Sequence, residues 1–405
     1  MAQAYDVIVA GGGPAGVAAA IAAARRGART LMVEKNPFAG GTWTAGMMNA
    51  FLDHTNKQGV IAEIRERLDR LGAWVLHRGR NAPGFFAVEP MKVVLDELLE
   101  EAGVDVRYQT MLYAARSSDR RVVEISTASK SGSETWSAEI FVDATGDGDL
   151  GAYAGCGFDL GRAADGKMQP ASMYALVGGW PDPLPDRDLI VATLERSGYE
   201  LTYSALGVSR FPGSPPGVAV LNLSHLYGVD ATCAESLTRA EIEGRRQVFS
   251  AVESLKRSGE PVFRDLCVLL TGPFVAIREG RRIHGLFTVT ERDARAGRAF
   301  EDGICEVTFN FDVHHVSPDE GHSYWYEAVP PYQIPYRSLV ARDVDNLLLA
   351  GRCISGDFVA HSSYRVVGDA VPLGEVAGAA AAVACQRGIA PADVPTRELT
   401  QIVGA

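Results

Sequence analysis

Gly11, Gly13 and Gly16, within Gly11-Gly12-Gly13-Pro14-Ala15-Gly16, are spaced as G-x-G-x-x-G, a pattern that can cradle a pyrophosphate. Gly11 permits a tight turn, Gly13 lets the main chain approach a phosphate, and Gly16 allows close contact between helix and strand. A helix entered through Pro14 and Ala15 offers the anion free N–H donors and the positive end of its dipole. Glu34 lies 34 − 11 = 23 residues after the first glycine, where a carboxylate accepts hydrogen bonds from ribose hydroxyls. The elements needed to hold these groups follow in order. Residues 5–10 form a Val/Ile run bounded by glycine, which reads as a buried parallel strand. An Ala-rich helix over 17–26 stops at Gly27, and a second strand over 30–33 delivers Glu34. The fingerprint by itself does not separate NAD from FAD.

Beyond Glu34, Lys35 precedes a glycine turn at Gly40-Gly41-Thr42. Amphipathic helices are predicted at 59–71 and 89–102, then a strand at 104–108, a meander over 111–128 and a strand over 136–142. That strand runs into Asp143-Ala144-Thr145-Gly146-Asp147-Gly148-Asp149. From 153 to 334 the pattern changes to Pro/Gly clusters, aromatic strand-like runs and one long helix at 238–257, as an inserted substrate domain would. The nucleotide-type pattern resumes with a strand at 346–350, Gly351 and an Ala-rich helix near 372–387. The predicted domains are therefore 1–152 and 335–405, two parts of one nucleotide-binding unit, with 153–334 between them.

Composition narrows the class of function. A hydrophobic content of 47% and a charged content of 22% are those of a globular chain with room for a sizeable core. The net charge of −11 argues against nucleic-acid or anionic-membrane partners. No 18-residue apolar run is evident, and the first strand starts within five residues of Met1, so neither a membrane span nor a signal peptide is expected. Six cysteines (156, 233, 267, 305, 353, 385) show no C-x-x-C and no metal-ligand spacing. They read as reduced core thiols of a cytoplasmic protein without a metal.

The order GGGPAG, Glu34-Lys35, Gly40-Gly41-Thr42, ATGDGD at 144–149 and NLLLAGRCIS at 346–355 resembles two-domain flavoproteins of the glutathione-reductase-like superfamily. More closely, the chain resembles the FAD-dependent oxidoreductase family with a fumarate-reductase-like flavin domain. The segments 273–291, 332–339 and 351–365 carry that likeness, so it spans almost the whole chain. The resemblance implies a Rossmann-type α/β FAD-binding domain with an inserted mixed α+β substrate domain, bound FAD and redox chemistry. It implies FAD contacts at Gly11, Gly13, Pro14, Ala15, Gly16, Glu34, Lys35, Gly40, Gly41, Thr42, Thr145, Gly146, Asp147, Gly351, Arg352, Pro372 and Leu373. Where the wider superfamily carries Gly-Asp, this chain has Gly351-Arg352. Where relatives often carry a histidine, it has Phe358, with His361 three residues on.

A substrate that gives hydride to a flavin needs a base for its O–H or N–H proton and cations for any carboxylate. His361, just after the flavin turn, is the expected base. Arg365, Arg337 and Tyr332 are the expected substrate contacts, each with a packing or interdomain alternative. Arg278, Arg281 and Arg282 suit an anionic substrate or, somewhat better, structural ion pairs. His314-His315 reads as a solvated loop pair rather than a metal site. The helix entered through Ala370-Val371-Pro372 is expected to aim its dipole at the flavin. Gly146-Asp147-Gly148-Asp149-Leu150-Gly151 repeats the glycine pattern, but glycines at 155 and 157 leave no room for a long helix, so it belongs to the FAD site. NADH and NADPH are accordingly expected to be poor direct reductants. The expected function is oxidation of a C–OH or C–NH bond of a small polar metabolite, with a flavin monooxygenase or a flavin-containing binding subunit as alternatives. A homo-oligomer and an external electron acceptor stay open.

Overall fold

The structure, a computed structural model, describes residues 3–76 and 83–400. A seven-stranded sheet forms its centre, with Asp105–Arg107, Thr30–Val33, Gln3–Ala10 and Gly132–Asp143 in parallel and Leu347–Leu349 added beside the last. Met111–Ser118 and Arg121–Ser129 extend it antiparallel, giving the predicted meander. Central strands buried on both faces read as unbroken apolar runs, and residues 7–10 and 30–33 are buried throughout.

Two Ala/Gly-rich helices, Pro14–Arg25 and Val367–Arg387, cross that sheet against each other. A Cβ at Gly374 would lie 2.0 Å from Ala15 O, and one at Gly378 would lie 1.9 Å from Ala19 O. Small residues therefore let two backbones touch. Val367–Arg387 is long and apolar enough to cross a membrane by length and composition, yet 94% of its apolar window is buried in the fold. It is a core helix. It begins five residues before Pro372, so that proline sits inside the helix and not in its first turn. The long predicted helix also starts early, as Ala234–Arg257.

A second core forms around a four-stranded antiparallel sheet ordered Gly207–Ser209, Ala219–Asn222, Tyr174–Gly178, Cys267–Thr271. Alternation along its inner strands divides the faces. Ala175, Val177, Ala219 and Leu221 pack toward helices Arg187–Arg196 and Ala234–Arg257, while Tyr174, Leu176, Val220 and Asn222 line cavities. This core runs from Ala171 to Val275, narrower than the predicted insert. Ile283, Val289, Ile304, Phe311 and Tyr332 rejoin the first core, because their short strands pack on the flavin-side helices instead.

Candidate active site

A groove runs across the C-terminal ends of the parallel strands, where ligands of such sheets bind. Gly11, Gly13, Pro14, Ala15, Glu34, Lys35, Gly41, Thr42, Thr145, Gly146, Asp147, Gly351 and Arg352 line it. Gly11 has φ +99°, and a Cβ there would meet Ala144 O at 2.4 Å. A Cβ at Gly13 would meet nothing within 4 Å, so the main chain lies open to a phosphate. Gly13 caps the Pro14–Arg25 helix with no side-chain hydrogen bond, which leaves its first N–H groups to a ligand.

Glu34 is buried and fixed at the groove edge. Its Oε2 accepts from Gly12 N at 2.6 Å, and Oε1 accepts from Asn36 N at 2.8 Å and Asn36 Nδ2 at 2.6 Å. Oε1 thus has both lone pairs in use, and Oε2 retains one for a ribose hydroxyl. Across the groove, buried Asp143 accepts from Thr145 N (3.0 Å), Thr145 Oγ1 (2.7 Å) and Gly151 N (2.8 Å), shaping the 145–151 turn. Burial pushes its carboxyl up to about 6. Arg352 Nη2 donates to Asp147 Oδ1 at 2.8 Å, while its buried Nη1 has no protein partner. An open glycine, an uncapped helix start and an unpaired guanidinium nitrogen fit a bound anionic dinucleotide.

Thr42, Ile277, Arg352, Arg365 and Val367 line this groove and also a second cavity of about 490 Å³. The second sheet supplies Tyr174, Val220 and Asn222 to its wall, and Asn49, Tyr203, Arg278, Asp312, His314 and Tyr324 complete the polar lining. Arg365 Nη2 donates to Asp312 O at 2.9 Å and stands 3.4 Å from Asp312 Oδ2. Burial lowers Arg365 to about 10, so it stays charged at neutral pH. His314 Nε2 lies 3.4 Å from Asp312 Oδ2, and its Nδ1 lies 2.8 Å from His225 Nε2. Burial and the Arg278 charge lower His314 to about 3, which keeps the ring neutral. Burial opposes ionisation of Asp312, but the His314 hydrogen bond and the charges of Arg365 and Arg278 outweigh it and hold the carboxyl at about 2. Arg278 Nη1 donates to Pro170 O at 2.7 Å and Ser172 Oγ at 2.9 Å. Among the described residues no carboxylate pairs with it.

Several expectations need correction. His361 is fully buried on the Phe358–Tyr364 helix and lines neither the groove nor the cavity. Burial and the nearby Arg282, Arg365 and Arg352 push it well below the ordinary range. Phe358 is buried on the same helix, also off both walls. Tyr332 sits in the first core at 1% exposure. Arg337 grips Asp302 by Nε (2.9 Å) and Nη2 (3.0 Å) on the outside of the fold. Arg365 alone of the four expected catalytic residues lines the cavity.

Among the expected cofactor residues, Gly16 and Gly40 act behind the groove. A Cβ at Gly16 would meet Gly11 O at 1.8 Å, and one at Gly40 would meet Thr44 at 2.6 Å. Pro372 and Leu373 are buried away from the groove, whereas Val367 and Ala370, in the true first turn, line it. The arginine cluster divides. Arg281 pairs with Asp149 at 2.9 Å and buried Arg282 pairs with Glu279, but Arg278 faces the cavity. His314 is not solvated. It lies on the Phe311–His314 strand at 5% exposure, and His225, which no spacing had marked, is fully buried beside it. No cluster of metal ligands occurs among the described residues.

A dinucleotide groove sharing a wall with a polar cavity defines an FAD-binding oxidoreductase of Rossmann type. The chain belongs to the FAD dependent oxidoreductase family, whose profile matches residues 6–403, and FAD is its cofactor. Over 134 residues it is 29% identical to a digeranylgeranylglycerophospholipid reductase from Thermoplasma acidophilum, a match that spans 33% of this chain and 30% of that relative. Its fold is similar to that of a geranylgeranyl bacteriochlorophyll reductase-like protein from the same organism, with TM-score 0.56 and 14% identity over 99% of this chain and 83% of the other. It is also similar to a p-nitrophenol 4-monooxygenase from Pseudomonas putida, with TM-score 0.53 and 13% identity over 100% and 85%. At such identities the structural likeness is one of fold.

Proposed function

We propose that this flavoenzyme oxidises a C–OH or C–NH bond of a small metabolite that carries an anionic group. One observation carries the reading. The cavity beside the flavin groove holds a guanidinium, Arg278, with which no carboxylate of the described residues pairs, across from the Asp312–His314 pair. A volume of about 490 Å³ suits a small metabolite. Bound FAD supplies the acceptor for the electron pair that leaves the substrate carbon. Arg278 takes the carboxylate, a contact that is strong because it is charge-assisted and half-buried. Ionised Asp312 accepts the O–H or N–H proton, and neutral His314 hydrogen-bonds the same carboxylate through its Nε2–H. Arg365 keeps Asp312 in place, and Tyr174, Tyr203 and Tyr324 shield the reacting groups from water.

Anaerobic mixing of the FAD-loaded protein with a panel of hydroxy acids, amino acids and uncharged polyols tests this reading. Saturable bleaching by an anionic member, weakened in Arg278→Met, is the expected result. Bleaching by NADPH and not by any panel member, followed by oxygen incorporation into an added aromatic, would establish the monooxygenase reading instead.

A further inference from the structure

The sheet face that floors the substrate cavity continues past it. In the register of Tyr174–Gly178 with Ala219–Asn222, Tyr174 opposes Asn222 and, two residues on, Leu176 opposes Val220. Side chains two apart on a strand share a face and stand roughly 7 Å apart along it. Tyr174 and Asn222 line the first cavity, Leu176 lines a second of about 480 Å³, and Val220 lines both. The 42–49 segment divides at the same place. Met47 lines the second cavity and Met48 the first, and the chain turns between them with Met47 at φ 54°. The two cavities differ in chemistry. Arg278, Arg352, Arg365 and Asp312 line the first, whereas the wall of the second carries Met47, Ala73, Leu176, Phe211, Val220 and Leu270. Among the described residues its only charged ones, Glu89 and Lys92, pair with each other at 2.7 Å, and the Thr44 hydroxyl donates to Ala39 O at 2.7 Å. Such a wall accepts hydrocarbon and offers no free charge to a polar group. Leu71 and Leu270 on it are 58% and 46% exposed, which marks its open end.

We infer that the second cavity receives a hydrocarbon tail of the substrate, so that the substrate is an amphiphile with its anionic head in the first cavity. The inference rests on the oxidation proposed above and names the class of its substrate, a hydroxy or amino acid with a medium-length aliphatic chain. With the carboxylate on Arg278 and the reacting carbon near Asp312, the chain leaves the first cavity over Val220, the sheet residue that the two cavities share. It then runs along the strand direction past Leu176 toward the open end at Leu71 and Leu270. Each methylene that enters leaves water for apolar contact, so binding strengthens with length until the cavity is filled. A chain of equal length that carries hydroxyls would lose its water there without regaining hydrogen bonds, and is rejected. The head site therefore selects charge, and the tail site selects length and polarity.

Calorimetric titration of the FAD-loaded protein with straight-chain carboxylates, butanoate to dodecanoate, tests the tail site without turnover. Affinity should rise about fourfold per methylene over several carbons, the yield of burying one CH₂. Dodecanoate should bind about tenfold more weakly to Leu176→Gln, and about threefold more weakly to Leu270→Gln, an exposed position where the fold is least at stake. Affinity that stays level beyond butanoate would overturn the inference, as would dodecanoate bound by both variants as tightly as by the wild type. Arg278→Met should lower affinity by a similar factor at every length, and wild-type affinity for dodecanoate in that variant would separate tail from head and overturn the amphiphile. The two proposals fail separately. A level series with short acids that still bleach the flavin removes the tail site and leaves the oxidation. A rising series, lost in the variants, with no acid that bleaches the flavin removes the oxidation and leaves the tail site.

Discussion

The groove and the cavity share a wall but are built in opposite ways. The groove is made of main chain. Three glycines and a helix start within residues 11–34 act by lacking a side chain or by directing an N–H, and one carboxylate, Glu34, accepts from Gly12 N. The cavity is made of side chains gathered from between Thr42 and Val367, carried on strands, loops and a helix end. Where backbone packs on backbone, as at Gly11 and Gly16, no added atom fits, whereas side-chain sites tolerate substitution and lose only the chemistry that was replaced. The consequences of mutation on the two sides should therefore differ in kind.

Gly16→Val is expected to have the largest effect, because its first added carbon would fall 1.8 Å from Gly11 O. A loss above roughly 4 kcal/mol, seen as insoluble or colourless protein, is expected. A yellow, soluble variant would break the contrast outright. Asp312→Asn should keep FAD and fold while slowing substrate bleaching about 10²–10⁴-fold, the cost of losing a general base. Loss of flavin from that variant would mean that the cavity also holds the groove together. Glu34→Ala should weaken FAD binding by about 1–3 kcal/mol with the protein still folded, as read by flavin release on dilution.

The buried histidines of the cavity also make stability depend on pH. His314 is held at about 3 in the fold against 6.5 in the unfolded chain, and His225 is lowered in the same direction. Below 6.5 the unfolded chain takes up protons that the folded chain refuses. The stability of the neutral pair is thus fully present above pH 6.5 and is lost as pH falls toward about 3, with a slope of up to about 1.4 kcal/mol per pH unit for each ring. Urea midpoints measured across that window should fall more steeply for the wild type than for the His225→Gln, His314→Gln double variant. His361→Phe should leave the pH profile of bleaching unmoved, since the ring touches neither groove nor cavity. A displaced profile would restore it to the reaction.

Local sequence determined the groove. G-x-G-x-x-G, the following helix, the second strand and Glu34 are contiguous, and a main-chain turn depends mainly on its own residues, so Gly11, Gly13, Pro14, Ala15 and Glu34 fall together along one groove. It did less well wherever adjacency in sequence stood in for adjacency in space. Pro372 looks like a helix start, but the helix begins at Val367, where Gly368 N donates to Leu52 O. His361 follows the flavin turn by only ten residues, yet the Phe358–Tyr364 helix turns its ring into the core. His314 and His315 look like a polar loop, whereas strand alternation buries the first against His225, 314 − 225 = 89 residues away. Tertiary structure alone decided the cavity, because a neutral histidine, an ionised aspartate and an arginine bonded only to Pro170 O and Ser172 Oγ among the described residues owe their states to burial and to neighbours distant in sequence, and burial is a property of the packed fold.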